Sequence, residues 1–367
     1  MNIATVFSGI GAPEFALKTY FYQYVNPKIV FACDCGETNP LPEQDVTAIK
    51  NIASPKERQQ LVKKLYLKLR KRHWVKETYF ANYSSMGISE DSWHDDIRFI
   101  EGNCYKGKVD LFIGGSPCQS FSNMGHRKGL EDARGTLFYD YARLIKEIEP
   151  KVFIYENVPG MLNHDFGQTW ETIKGVFKSL GYDFSFKVLN SVDYGIPQNR
   201  KRLFVVGFKE KQFSKRFCFP EPIPLICKAS SFLDKDVDPK YYLGEKGFKF
   251  VTTHKGRARI NMNIIRTEKR NQQFNWNGDF VFVPFEEIED NPKIMNKAFV
   301  GLFEGKEGVA RKMTPRECHR LMGFKDDFVI CQNDVEAYKQ AGNSIVVDVM
   351  KNLFDSIFKT GVFYEKN

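Results

Sequence analysis

Short apolar runs that alternate with helix-period segments constrain this chain more than any other feature. IATVF, KIVFAC, VDLFIGG, KVFIYENV and RLFVVGF each have the length and residue types of a buried strand. Between the third and fourth runs, TLFYDYARLIKEIEP carries a helical stripe through Leu137, Tyr141, Leu144 and Ile148. The pattern predicts βαβ units and an α/β fold with a mostly parallel sheet covered on both faces. Such sheets hold their ligands beyond the C-terminal ends of the strands.

From about Pro220 to about Gly308 the rhythm gives way to prolines, aromatics, basic residues and amides, which predicts a smaller domain of irregular or β-rich structure. TPRECHRLMGF then opens a helix, with Thr314 as N-cap, Pro315 at the first position and Glu317 closing a capping box. SIVVDVMKNLFDSIF has helical spacing through Ile345, Val349, Leu353 and Ile357, and is expected to return to the first domain. The expected division is therefore 1–219, 220–330 and 331–367.

A formal net charge of +9 points to an anionic partner. The eight cysteines include one CxC and no paired CxxC, so neither a disulfide framework nor a metal site is expected. No run reaches the ~18 apolar residues of a membrane span, and the first residues read as a core strand rather than a signal sequence. A cytoplasmic protein with no membrane association is expected. QLVKKLYLKLRKRHWVKE reads as an amphipathic helix with Leu61, Leu65 and Leu69 on one face, either a solvated surface helix or a grip for phosphates.

The polar residues at the strand ends carry the chemistry. FSGIG (Phe7 to Gly11) follows one strand and precedes a helix, so Gly9 and Gly11 let the backbone approach a ligand. Asp34 ends the next strand, where a ribose-binding carboxylate would stand, and Asp96 in HDDIRFIEG is a second candidate for a nucleoside. GGSPCQSFS presents Cys118 directly after a buried run. Glu156 and Asn157 end KVFIYENV, where a carboxyl beside apolar residues is partly desolvated. Arg200 and Arg202 stand two apart at the start of a strand, so alternation predicts that both point to one face and grip an anion or a ring carbonyl.

Taken in order, FSGIG, GGSPCQSFS, ENV, QNRKR, TPRECHRLMGF and QAGNS resemble the motifs of the DNA cytosine-5 methyltransferases of bacterial or phage modification type. The resemblance runs from Ile3 to about Met350 and leaves about 220–308 unmatched, as a target-recognition region would be. It implies a Rossmann-like domain that uses S-adenosylmethionine, a smaller target-recognition domain, and a double-stranded DNA substrate whose cytosine is extruded. Cys118 would be the nucleophile and Glu156 would hydrogen-bond the base. Arg202 with Arg200 would hold the ring carbonyl, Gln119 would lie near the extruded base, and Asn157 would orient the Pro117 loop. Phe7, Ser8, Gly9, Gly11, Asp34, Asp96, Pro117, Leu137 and Asn343 would line the cofactor pocket.

The resemblance also implies a monomer, functionally paired with a cognate restriction endonuclease and associated with the nucleoid of a bacterial cell or phage-infected host. Three departures stand out: Ala12 and Thr5, where a glycine and an acid are frequent, and Cys35, where an aromatic often packs on the cofactor. The rival readings are a tRNA methyltransferase of the same family, a catalytically idle DNA-binding regulator and a nicotinamide dehydrogenase. The last lacks the third glycine of the dinucleotide fingerprint.

Overall fold

A computed structural model describes residues 1–36, 41–70, 72–117, 137–271 and 273–364. Cys118 and Gln119 lie outside the described residues. The strands are β1 (Asn2–Val6), β2 (Lys28–Cys33), β3 (Trp93–His94), β4 (Leu111–Gly114), β5 (Val152–Asn157), β6 (Asp183–Asn190), β7 (Gln198–Asn199), β8 (Lys201–Phe208), β9 (Ala258–Ile260), β10 (Ile265–Arg266), β11 (Gly278–Pro284), β12 (Gly301–Phe303) and β13 (Lys306–Arg311).

Seven strands form one sheet in the order β3-β2-β1-β4-β5-β8-β6. The pairs β3·β2, β2·β1, β1·β4 and β4·β5 are parallel, and β5·β8 is antiparallel. The five apolar runs are thus β1, β2, β4, β5 and β8, and each is nearly free of exposed residues because the sheet buries both faces. Helix Leu137–Ile148 covers one face and buries Phe138, Tyr141, Leu144, Ile145 and Ile148. Tyr141 stacks on Phe112 at 5.1 Å and donates to Ile154 O at 2.8 Å.

Register places the chemistry on one edge. Val6 pairs with Cys33 on one side and Gly114 on the other, and Gly114 pairs with Tyr155. The ends of β1, β2, β4 and β5 are therefore level, and strand order reverses about β1. That is the switch point at which open sheets bind ligands.

The chain divides into two compact units, Met1–Leu189 with Lys201–Glu221 and Met350–Asn367, and Asn190–Arg200 with Pro222–Val349. This differs from the expected boundaries in two places. Asn190–Arg200 goes with the second unit because β7 pairs with β10. The return to the first unit comes at Met350, within helix Val347–Phe358, because helix Asp334–Asn343 belongs with the second. In the first unit, Phe21 meets Phe354 and Phe358 edge-on at 6.2 and 4.9 Å.

The second unit is β-rich, as expected. Its larger sheet has the order β12-β13-β11-β9, packed on Leu243, Phe248, Val251, Phe280 and Ala310. Helix Pro315–Arg320 starts with the predicted capping box, and Glu317 also forms a buried ion pair with Arg311 at 2.9 Å.

One helix expectation fails in its face. Helix Pro55–Leu69 buries Val62 and Tyr66, whereas Leu61 and Leu65 are half-buried and Leu69 is exposed. Tyr66 is the anchor because its hydroxyl finds an acceptor in Asp96 at 2.9 Å.

Candidate active site

The turn after β1 begins with strain. Phe7 has φ 56, in the left-handed region that a non-glycine residue avoids, and Gly9 and Gly11 follow with φ 53 and 78. A Cβ on Gly11 would lie 2.3 Å from the Tyr83 ring, so only glycine fits against that wall. At Gly9 a Cβ would meet nothing within 4 Å, which leaves open space beside the backbone. Ser8 Oγ donates to Cys33 O at 3.2 Å and ties the turn to β2.

Asp34 follows β2. Its Oδ2 accepts from Gly9 N at 2.8 Å and its Oδ1 from Gly36 N at 2.7 Å. Burial raises its pKa from the ordinary aspartate value, against the pull of those two amides. Each carboxylate oxygen can accept two bonds, so both retain a lone pair for a pair of ligand hydroxyls. Thr5, where an acid is frequent, donates to the buried Glu14 at 2.6 Å, so the acidic group is supplied from the following helix.

Asp96 is more committed than the sequence implied. Its oxygens accept from the Arg98 guanidinium at 2.6 to 3.1 Å and from Tyr66, so a nucleoside amine would have to share them. Pro117 is exposed at the end of the described loop after β4, and Leu137 is half-buried at the start of its helix. Asn343 is the last residue of helix Asp334–Asn343, exposed and within the second unit.

Two strands along the same sheet edge, beyond β4, β5 ends in Glu156 and Asn157. The sequence suggested a desolvated carboxyl. In the structure Glu156 Oε1 stands 3.1 Å from Arg202 Nε as an ion pair, with the two side chains 15% and 18% exposed. The pair forms because Glu156 is in register with Phe204 on β8, which puts Arg202 next to the end of β5. Asn157 Nδ2 donates to Ser116 O at 2.9 Å, and Ser116 Oγ bonds the Tyr155 hydroxyl at 2.7 Å. These bonds hold the backbone one residue before Pro117. Ser116 and Tyr155 were missed, since a serine just after an apolar run and a tyrosine within one give no signal.

Arg200 does not share that position. It is 3% exposed, and it donates to the backbone oxygens of Glu268, Gly342 and Ser344 at 2.8, 3.0 and 2.6 Å, all within the second unit. The expected joint grip of Arg200 and Arg202 is corrected accordingly. The chain changes sheets between them, β7 pairing with β10 and β8 with β5, so the two-residue period is interrupted.

What is assembled in the first unit is an ion-paired carboxylate and guanidinium, a loop locked by an asparagine, and an acid cradled by two glycine amides. Among the described residues no group of acids, histidines and cysteines is placed to hold a metal, and no helix is long and apolar enough to cross a membrane.

The model of the C-5 cytosine-specific DNA methylase family matches residues 49–359. The type II methyltransferase M.HpaII of Haemophilus parainfluenzae is 36% identical, over 79% of this chain and 82% of its own. M.SsoII of Shigella sonnei is 35% identical, over 78% and 72%. The structure of Spodoptera frugiperda DNMT2 superposes with a TM-score of 0.66, covering 97% of this chain and 99% of that one at 17% identity, a likeness of fold. With its ordered motifs, switch-point acids and match over most of its length, the chain belongs to the C-5 cytosine-specific DNA methylase family, and it is an α/β Rossmann-like DNA (cytosine-5-)-methyltransferase.

Proposed function

We propose that this enzyme methylates carbon 5 of a cytosine extruded from duplex DNA, through a transient bond between Cys118 and carbon 6. The observation that carries this reading is the Glu156–Arg202 pair at the end of β5, beside the Ser116–Pro117 backbone that leads to Cys118.

Carbon 5 of cytosine is a weak nucleophile. Addition of the Cys118 thiolate to carbon 6 breaks the 5,6 double bond and makes carbon 5 enamine-like. Glu156 hydrogen-bonds ring nitrogen 3 and the exocyclic amine, and stabilises the proton that nitrogen 3 takes up as sulfur adds. Arg202 holds the ring carbonyl against the charge that develops there. After carbon 5 has taken the methyl group its proton departs, and expulsion of the thiolate restores the double bond. The ring face is hidden in a duplex, so the base is swung out at a cost of a few kcal/mol.

S-adenosylmethionine fits the switch-point residues and supplies an electrophilic methyl group when bound. Asp34 would accept from its ribose hydroxyls, Gly9 offers the open side of the turn, and Phe7, Ser8, Gly11, Pro117 and Leu137 complete the candidate pocket, with Asp96 and Asn343 as further candidates. The second unit would choose the target sequence. The names of the type II relatives support a modification role; a cytoplasmic enzyme that acts as a monomer on DNA and is paired with a restriction endonuclease completes the proposal.

Trapping tests the proposal. With labelled S-adenosylmethionine and duplex DNA bearing 5-fluorocytosine, where no proton can leave carbon 5, a stable conjugate is expected at Cys118. Cys118→Ala should give no conjugate and no methylation while still binding DNA. Label entering tRNA and not duplex DNA, or a conjugate at another residue, would overturn the reading.

A further inference from the structure

The segment between β2 and β3 carries the helix read from the sequence as either a solvated surface or a grip for phosphates, and its side chains converge on the strand ends that carry the acids. Tyr66, near the end of helix Pro55–Leu69, donates to Asp96. Arg70 caps that helix and turns inward, with its side chain 11% exposed. Its Nη1 donates to Cys35 O at 2.8 Å, and its Nη2 is ion-paired with Asp95.

Cys35 is the residue after Asp34, and Asp95 is the residue before Asp96. One guanidinium therefore ties the end of β2 to the end of β3. His73 adds a bond from its ring to Asp34 O at 3.0 Å and lies so close to Gly36 that a Cβ there would be 3.0 Å from the ring. Burial, helped by the nearby Arg70 charge, lowers the His73 pKa to about 3, so the ring stays neutral and Arg70 supplies the cation. Arg70 Nε is buried with no acceptor among the described residues, as expected if two fixed oxygens dictate where the guanidinium sits.

We infer that Arg70 is a positioning residue for the cofactor, one that sets the spacing of Asp34 and Asp96 so that both can meet one adenosine. The inference rests on the S-adenosylmethionine reading above. Arg70 spends both Nη groups on the protein, so it acts through the two acids and not on the nucleoside itself. Its effect is preorganisation, because acids held apart at the right distance need no ordering when the nucleoside arrives.

Calorimetric titration of S-adenosylmethionine into the full-length protein tests this. Arg70→Met alone strands a buried Asp95, so the informative variants are Arg70→Lys and the double variant Arg70→Met/Asp95→Asn. The double variant removes both charges and keeps an acceptor for Trp93 Nε1, which bonds Asp95 at 3.3 Å. Arg70→Lys keeps a charge for Asp95 but cannot also bridge to Cys35 O. Both should melt close to wild type and bind duplex DNA as wild type does, yet bind S-adenosylmethionine roughly tenfold or more weakly. Wild-type cofactor affinity in a folded double variant would make the pair merely structural and overturn the inference. Failure of the unaltered protein to bind S-adenosylmethionine would remove the cofactor reading, and this inference with it.

Discussion

At the scale of single residues, the site is built by pairing groups that would be costly alone. A carboxylate at the end of a buried strand needs a partner, and Glu156 has Arg202 at 3.1 Å. An unaccompanied asparagine amide 4% exposed would be equally unfavourable, and Asn157 spends its Nδ2 hydrogens on Ser116 O and the Tyr155 hydroxyl. If Glu156 works on the base through its charge and geometry, Glu156→Gln keeps the shape and removes the stronger acceptor. Single-turnover methylation should fall on the order of 100-fold or more, with the DNA dissociation constant changed far less. A rate within a few-fold of wild type would move the acid's role to another group.

At the scale of elements, what was legible was whatever a period or a cap encodes. The five apolar runs became five strands of one sheet, and Thr314, Pro315 and Glu317 became a capped helix start, because each signal is local. What was not legible depended on pairing at a distance. Arg200 and Arg202 look equivalent in QNRKR, yet the strand before Arg200 pairs with β10 and the strand after it with β5. Leu69 follows Leu61 and Leu65 in the stripe but is exposed, because Asp96 makes Tyr66 the residue worth burying. The close approach of β4 and β5 is of the same kind. A Cβ on Gly115 would lie 2.8 Å from Glu156 O and 2.9 Å from Glu156 Oε2, and the backbone oxygen cannot step aside cheaply. Gly115→Ala should therefore displace the acid and depress methylation well beyond its cost in stability of about 1–3 kcal/mol. Gly160→Ala, where a Cβ meets nothing within 4 Å, is the control and should leave activity and melting temperature unchanged. Equal activity in the two variants would show that β4 yields and the acid does not move.

At the scale of the whole molecule, the charge of +9 suits a polyanionic substrate, but several arginines are spent inside the protein. Arg259 and Arg266 both close on the buried Asp279, Arg311 on Glu317, and Arg200 on backbone carbonyls. That internal use of cations leaves one acid of the second unit poorly served. Glu268 is 2% exposed, and its Oε1 has no partner among the described residues. Burial, only partly offset by Arg200 and a Cys318 hydrogen bond, raises its pKa from 4.5 to about 8. Between those two values the folded chain keeps a proton that the unfolded chain releases, so stability falls as pH rises through the window, by at most about 1.4 kcal/mol per pH unit. The stabilisation is fully present below about pH 4.5 and gone above about pH 8. Glu268→Gln keeps the volume and never ionises, so in urea unfolding it should match the wild type near the acid end and exceed it at the alkaline end, with a flatter profile between. Parallel profiles for the two proteins would mean that Glu268 ionises alike in both states and is served by a partner after all.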